Sequence, residues 1–258
     1  MLRSRIIPCL LIQNGGLVKT VKFKDPKYVG DPLNAVRIFN EKTIDELIVI
    51  DIDATVLKKE PDYKLIADLA AECRMPLCYG GGINTPEQVD KIISLGVEKV
   101  AIGNAALQDQ NLISSSSRRV GSQSIVVVMD IKKVGFISKK YEVFTHNGVR
   151  GSGLCAVDFA KRMEEMGAGE ILINNIDRDG TFSGYDYQLI GEVRKSVNVP
   201  ITVLGGAGSY EDIGTLFKKF GIIGASAGSL FVFKGKYRAV LIQYPNEVKK
   251  DELINEMK

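Results

Sequence analysis

The sequence predicts an α/β fold in which eight parallel strands alternate with helices and close into a (βα)8 TIM barrel built from two repeated (βα)4 halves. Three observations carry this prediction. First, the chain echoes itself. Glu46-Leu-Ile-Val-Ile-Asp51-Ile-Asp53 returns as Glu170-Ile-Leu-Ile-Asn-Asn-Ile-Asp177, and Pro76-Leu-Cys-Tyr-Gly80-Gly81-Gly82 returns as Pro200-Ile-Thr-Val-Leu-Gly205-Gly206. Both echoes lie 124 residues apart, counted from Asp53 to Asp177 and from Gly81 to Gly205, and such self-similarity is the mark of a duplicated architecture. Second, each echoed piece is a short apolar run ending in Gly or Asp, the pattern of a buried parallel strand that delivers its last residue to a loop. Third, amphipathic helical patterns lie between the runs, at 86–95, 153–166, 187–196 and 210–220. Alternating strands and helices imply a parallel sheet. An open doubly wound sheet would not demand a duplicated half, whereas two halves of about 125 residues suit a barrel of ordinary size.

In chain order, the expected strands are 6–11, 46–52, 77–79, 99–102, 125–130, 170–174, 201–204 and 222–225. The whole chain, 1–258, reads as one barrel domain, with half-barrels at about 1–122 and 123–235 and a charged C-terminal helix at about 236–258 packed outside. The Gly-rich polar stretches 147–153 and 179–184 follow strands, where barrels carry binding loops. Residues 114–117, all serine and followed by Arg118 and Arg119, read as the solvated edge of a helix.

Composition excludes several classes of function. A net charge of +3 beside 34 basic and 31 acidic residues describes a mixed surface rather than a nucleic-acid face. The apolar stretch 6–12 is too short to span a membrane and lacks a small-residue cleavage site, so a soluble cytoplasmic protein is expected. Cys9, Cys73, Cys78 and Cys155 form no CxxC pair, and the one histidine, His146, reads as a loop residue. No zinc site and no cofactor are expected. Cys9, within an apolar run, reads as a core thiol.

Active sites of such barrels lie at the C-terminal strand ends. There the sequence places Asp51, Asp53, Asp130, Asp177 and Asp179, all expected to face one cavity. Asp130, closing Ile125-Val-Val-Val-Met129, is the expected catalytic carboxylate; a structural alternative for each is helix capping or pairing with a lysine. The Gly-rich turns Gly80-Gly81-Gly82, Gly205-Gly206-Ala207-Gly208-Ser209 and Ala227-Gly228-Ser229 offer backbone N–H groups to an anion. Phosphate commonly binds after strands 7 and 8 of a barrel, which is where the last two turns fall. The duplication places Gly80 to Gly82 and Gly103-Asn104 opposite them, an arrangement suited to a substrate with two phosphates. Tight turns that need Gly for backbone geometry are the alternative.

Several of these residues together resemble the cyclase subunit of imidazole glycerol phosphate synthase. They are Arg5-Ile-Ile-Pro-Cys-Leu10, Val18-Lys19, Asp51, Gly80 to Ile83, Gly121-Ser122-Gln123, Asp130, Gly167-Ala168-Gly169-Glu170, Ile176-Asp177-Arg178-Asp179-Gly180-Thr181, Ser183-Gly184-Tyr185-Asp186 and Gly205 to Gly208. The resemblance covers residues 1 to about 235, and the 176–186 block is its most specific part. It implies a glutaminase subunit docked on the N-terminal face of the barrel. Ammonia would pass through the barrel to a phosphorylated ribulosyl-formimino substrate at the far end, with Lys19, Asp51, Asp177, Asp179, Gly180 and the Gly-rich turns around that substrate. It further implies a charged gate formed by Arg5, Glu46, Lys99 and Glu170.

The family pairs two catalytic aspartates, one ending strand 1 and one ending strand 5. Asp130 occupies the second place, but the first is Leu11. Asp53 where Thr is usual, Gly103-Asn104 where Asn-Thr is usual, and Leu204 where a small polar residue is common are further departures at the substrate end. With the entrance retained and the reacting end altered, the chain resembles the second copies in bacterial surface-polysaccharide pathways, which pass ammonia to an amidotransferase acting on a nucleotide-linked sugar. Two other outcomes remain open. In one the chain is an authentic cyclase in which Asp53, taken to share a strand face with Asp51, replaces the acid/base lost at Leu11. In the other it is a non-catalytic activator of the glutaminase.

Overall fold

The computed structural model describes residues 3–135 and 140–255. Eight strands, β1 (Arg5–Gln13), β2 (Leu47–Asp51), β3 (Leu77–Gly80), β4 (Lys99–Ile102), β5 (Ile125–Val134), β6 (Glu170–Asn175), β7 (Ile201–Leu204) and β8 (Gly224–Ala227), pair in parallel with their neighbours. The sheet closes where β8 returns to β1, with Arg5 opposite Gly224 and Pro8 opposite Ala227. The molecule is a (βα)8 TIM barrel.

Each of the eight longer helices buries apolar side chains, and five of them begin at the side-chain caps named below. They are α1 (Pro32–Glu41), α2 (Tyr63–Glu72), α3 (Pro86–Ser94), α4 (Asn111–Val120), α5 (Ala156–Glu165), α6 (Tyr187–Arg194), α7 (Tyr210–Phe220) and α8 (Glu247–Asn255). Asp31, Asp62 and Asp186 accept from the third residue onward at the starts of α1, α2 and α6. Thr85 with Gln88, and Ser209 with Asp212, form complete capping boxes on α3 and α7. Each cap satisfies amides that would otherwise lack a partner, worth about 1 kcal/mol per helix. α8 buries Leu253, and the segment before it is tied to β1 by Tyr244, whose hydroxyl donates to the Ile6 carbonyl at 2.8 Å.

The alternation of the strands divides the apolar residues between two cores. Residues facing outward meet the helices, where Val36, Phe39, Ile66, Ile92, Ile113, Phe159, Leu216 and Phe217 are fully or almost fully buried; each large side chain contributes roughly 1.5–3 kcal/mol. Every second residue faces the bore, where Ile7, Cys9, Ile48, Cys78, Ala101, Val126, Leu172 and Leu204 form a separate inner cluster, bordered by Leu11, Ile50 and Val128. Cys9 is thus a core thiol of the bore, and burial pushes it up to about 11.

Two hairpins absent from the sequence reading stand over the C-terminal ends of the strands. The end of β1 pairs with Gly16–Val21, which pairs in turn with Lys24–Gly30. β5 runs past its expected end at Asp130 and pairs antiparallel with Lys140–Thr145, placing Asp130 opposite Phe144; Arg150–Cys155 completes that ribbon. The stretch expected as a Gly-rich loop at 147–153 is therefore a turn followed by a strand. Two further expectations need correction. Ser116, expected on a solvated edge, is fully buried because α4 turns that edge inward. The last strand begins at Gly224 rather than at Ile222, which is exposed. Gly221, at φ +67°, ends α7, and a Cβ at Gly224 would come within 2.0 Å of the Thr202 hydroxyl.

Candidate functional site

At the N-terminal mouth of the barrel, Arg5, Glu46, Lys99 and Glu170 meet as a ring of alternating charge. Arg5 and Lys99 begin β1 and β4, Glu170 begins β6, and Glu46 immediately precedes β2. Arg5 donates to Glu46 and, at 2.7 Å, to Glu170. Lys99 donates to Glu46 at 2.9 Å and to Glu170 at 2.9 Å. The Thr202 hydroxyl adds a 2.5 Å bond to Glu170. Both carboxylates are buried, at 4% and 5% exposure. Burial alone would lift the Glu170 pKa, but Arg5 and Lys99 outweigh it and hold the carboxyl below its ordinary range. Burial likewise pulls Arg5 and Lys99 down, and the two glutamates outweigh it and hold both cations above their ordinary values. Alternation of sign is what makes four desolvated charges tolerable at one place. Above the ring the bore is lined mainly by apolar side chains up to Leu11, Leu172 and Leu204, and the buried Ser226 hydroxyl donates to the Ile7 carbonyl at 2.9 Å.

The bore opens at the C-terminal ends of the strands into a cavity of about 1300 Å³, counting the space open to solvent. Asp130 sits in its wall. Burial lifts its carboxyl to about 7; a 2.9 Å bond from Asn174 Nδ2 opposes that shift and the nearby Asp179 adds to it. Asp179 accepts from the Thr20 hydroxyl at 2.7 Å and from the Phe23 amide at 3.3 Å, so the first hairpin is anchored on it; burial raises its pKa against those bonds. Lys19 is buried and donates to the Cys9 carbonyl. Burial pulls its ammonium below the ordinary lysine value, against Cys9 and Asp179. Asp51 lines the cavity, while its Oδ1 accepts from the amides of Asp53 and Ala54 at 2.9 and 3.1 Å; its pKa is raised by burial, against those two bonds.

Leu11, Lys19, Asp51, Gly81, Gly82, Asp130, Asp179, Gly228 and Ser229 all line this cavity, together with Gly103 and Asn104. Two of the five aspartates expected there point elsewhere. β2 ends at Asp51, so Asp53 shares no strand face with it; its carboxylate is held by Gln13 Nε2 at 3.3 Å and the Asn14 amide at 2.7 Å. Asp177 accepts from the Lys133 amide at 2.9 Å and lines a separate shallow groove with Arg178 and Asp186. Gly180 packs under the first hairpin, against the Thr20 carbonyl. Gly205 and Gly206 pack against Asn175 and Gly184 rather than lining the cavity, and the amides of Gly208 and Ser209 are taken by the Asp212 carboxylate at 2.8 and 3.1 Å.

Three contributors were missed by the sequence reading. Asn174 and Thr202 occupy bore-facing positions of β6 and β7, an even number of residues from Glu170 and Leu204, so strict period-two counting identifies both. Arg238 lies in the tail, where no pattern marked it; its guanidinium comes within 3.5 Å of the Ser229 hydroxyl and lies over the rings of Phe182 and Phe233. His146 reaches the cavity rim, with Nδ1 3.1 Å from the Thr145 hydroxyl. Among the described residues, no group of three or more His, Cys, Asp or Glu side chains is arranged to hold a metal ion, and no helix is long and apolar enough to cross a membrane.

Comparison with known proteins agrees with this architecture. Residues 5–238 match the family described as "Histidine biosynthesis protein". The chain is 54% identical over 253 residues, covering 98% of this chain and 99% of the relative, to "Putative imidazole glycerol phosphate synthase subunit HisF" of Leptospira interrogans. It is 54% identical over 251 residues, 97% of this chain and 99% of the relative, to "Putative imidazole glycerol phosphate synthase subunit hisF2" of Pseudomonas aeruginosa. Against "Imidazole glycerol phosphate synthase subunit HisF" of Alkaliphilus metalliredigens the identity is 39% over 231 residues, 90% of this chain and 91% of the relative. With the barrel, the charged ring and relatives aligned over nearly their full length, the chain belongs to the histidine biosynthesis protein family, alongside the imidazole glycerol phosphate synthase subunit HisF.

Proposed function

We propose that this barrel receives ammonia from a glutaminase subunit at its N-terminal face and conducts it through the bore. Its destination is amide or amidine formation on a nucleotide-linked sugar, catalysed by a separate amidotransferase of surface-polysaccharide synthesis. The observation that carries the proposal is the contrast between the two ends. The charged ring at the entrance is complete, while the carboxylate expected opposite Asp130 is Leu11, whose apolar side chain lines the same cavity. Loss of one member of an acid/base pair costs roughly 10²- to 10⁴-fold, and an alkyl side chain cannot relay a proton. The wall between the ring and the cavity suits neutral NH3 and opposes NH4⁺, because an ion entering an apolar bore forfeits its hydration. The four relatives at 54% identity all carry the word "Putative" in their names and two of them are numbered hisF2 and hisF3, whereas relatives named HisF outright match at 39 to 42%; this grouping supports the second-copy reading.

A second reading, cyclase turnover in histidine biosynthesis, draws on Asp130 itself. Its carboxyl, at about 7, is matched to proton transfer near neutral pH and lies in a cavity with Gly-rich turns on both sides. Under either reading, Gly81, Gly82, Gly228 and Ser229 are the proposed phosphate contacts, joined by Arg238. The deciding experiment is steady-state cyclase activity on the ribulosyl-formimino substrate with saturating ammonium, comparing the natural chain with Leu11→Asp. Activity appearing only in the variant supports ammonia delivery; robust turnover by the natural chain overturns it in favour of the cyclase. Release of ammonia from glutamine into the medium by the two-subunit complex, rather than into the acceptor, would leave only activation of the glutaminase.

A further inference from the structure

Where the bore meets the cavity, one polar atom is left over. Asn174 is 8% exposed, and its Nδ2 donates to Asp130. An ionised carboxylate only accepts, so the amide nitrogen must face it, and Oδ1 becomes the free acceptor of the pair. That Oδ1 is buried and has no hydrogen-bond partner among the described residues. The bore cluster next to it, which includes Leu172, Val128 and Leu204, offers no side-chain donor. The charged and titratable groups acting on Asp130 are Asp179 beyond β6 and Cys9 on β1, while Lys19 in the first hairpin is committed to the Cys9 carbonyl. A buried acceptor without a donor costs about 1–3 kcal/mol, and a small ligand rich in N–H groups would supply the donor that Oδ1 lacks while pairing with the neighbouring carboxylate.

We propose that the Asp130 carboxylate and Asn174 Oδ1 form a capture site for ammonium at the exit of the bore. This deepens the conduction reading and rests on it. NH3 leaving the bore takes the proton of the Asp130 carboxyl. The resulting NH4⁺ is held by the Asp130 carboxylate and by Asn174 Oδ1, and on release the proton returns to Asp130 as NH3 moves to the acceptor. No other reactant is required. Asn174 is here a binding residue whose role is to distinguish a cation with N–H donors from one without.

The test follows the Asp130 carboxyl by ¹³C NMR through a pH titration of the aspartate-labelled chain, in ammonium, potassium and tetramethylammonium chloride at equal ionic strength. The expected result is an Asp130 midpoint lower in ammonium than in tetramethylammonium by about half a pH unit, the shift produced when the salt stands at roughly twice its Kd. Potassium should produce a smaller shift, and Asn174→Leu should remove the ammonium effect while the Asp51 titration stays in place. Asn174→Val, which also removes the acceptor, serves the same purpose if the leucine variant does not fold. Equal midpoints in all three salts, equal shifts by potassium and ammonium, or an ammonium shift that survives loss of Asn174 would each overturn the proposal. The titration needs neither partner nor acceptor. A chain that binds ammonium here but fails to deliver it in the two-subunit assay would refute conduction and leave the site standing.

Discussion

Replacing Glu170 with Gln tests whether the entrance ring is an electrostatic unit. The carboxylate accepts from Arg5 at 2.7 Å, Lys99 at 2.9 Å and Thr202 at 2.5 Å while almost wholly buried. Charge-assisted bonds of this kind contribute roughly 1.5–3 kcal/mol each. Glutamine keeps the volume and one acceptor, but it aims an N–H₂ group at two cations. The ring then holds two positive charges against Glu46 alone. Arg5 and Lys99 retain some solvent contact, with side chains 20% and 18% exposed, so the expected loss is about 2–4 kcal/mol rather than the upper end for a fully buried pair. Urea unfolding of both proteins measures it.

The pH dependence has a definite sign. A carboxyl held below its unfolded value contributes its full stability above that value, about 4.3, and loses it as pH falls through the lower folded value. The gap between Glu170 and its Gln variant should therefore be constant above about pH 5 and narrow as acid is added below that point. A difference under about 0.5 kcal/mol at neutral pH would refute the ring as a stabilising unit, its desolvation cost then cancelling its pairing.

Asp130→Asn should stabilise the fold by about 1–3 kcal/mol at pH 8 and by nothing near pH 4, because a carboxyl raised to about 7 costs stability as pH climbs from the unfolded value towards 7; unfolding at the two pH values checks this. Gly206→Ala places a Cβ 2.1 Å from the Gly184 carbonyl at φ +112° and should cost about 2–4 kcal/mol, visible as a lower Tm. Tyr244→Phe removes the bond to the Ile6 carbonyl and should cost about 1 kcal/mol, while increasing hydrogen exchange at Lys250 and its neighbours in α8 relative to the barrel strands.

The repeat offset, the apolar runs and the Gly or Asp closing each run were enough to determine the closed barrel, because a buried parallel strand writes its period and its end directly into the chain. The ring was legible through the family resemblance, to which the strand pattern adds only that Arg5, Glu46, Lys99 and Glu170 all precede or open apolar runs and so share one end of the barrel. The three-dimensional structure decided what local pattern could not. Asp53 and Asp130 both follow apolar runs, yet β2 stops at Asp51 and β5 continues past Asp130, so one carboxylate turns to the Asn14 amide and the other remains in the cavity. The two hairpins over the cavity were hidden because their outer strands, Lys24–Gly30 and Arg150–Cys155, are short, polar and exposed, with no alternation to betray them. Asn174 was hidden for a different physical reason. Its sequence position marks it as facing the bore, but that its Oδ1 is left without a donor follows only from which atoms of other strands surround it.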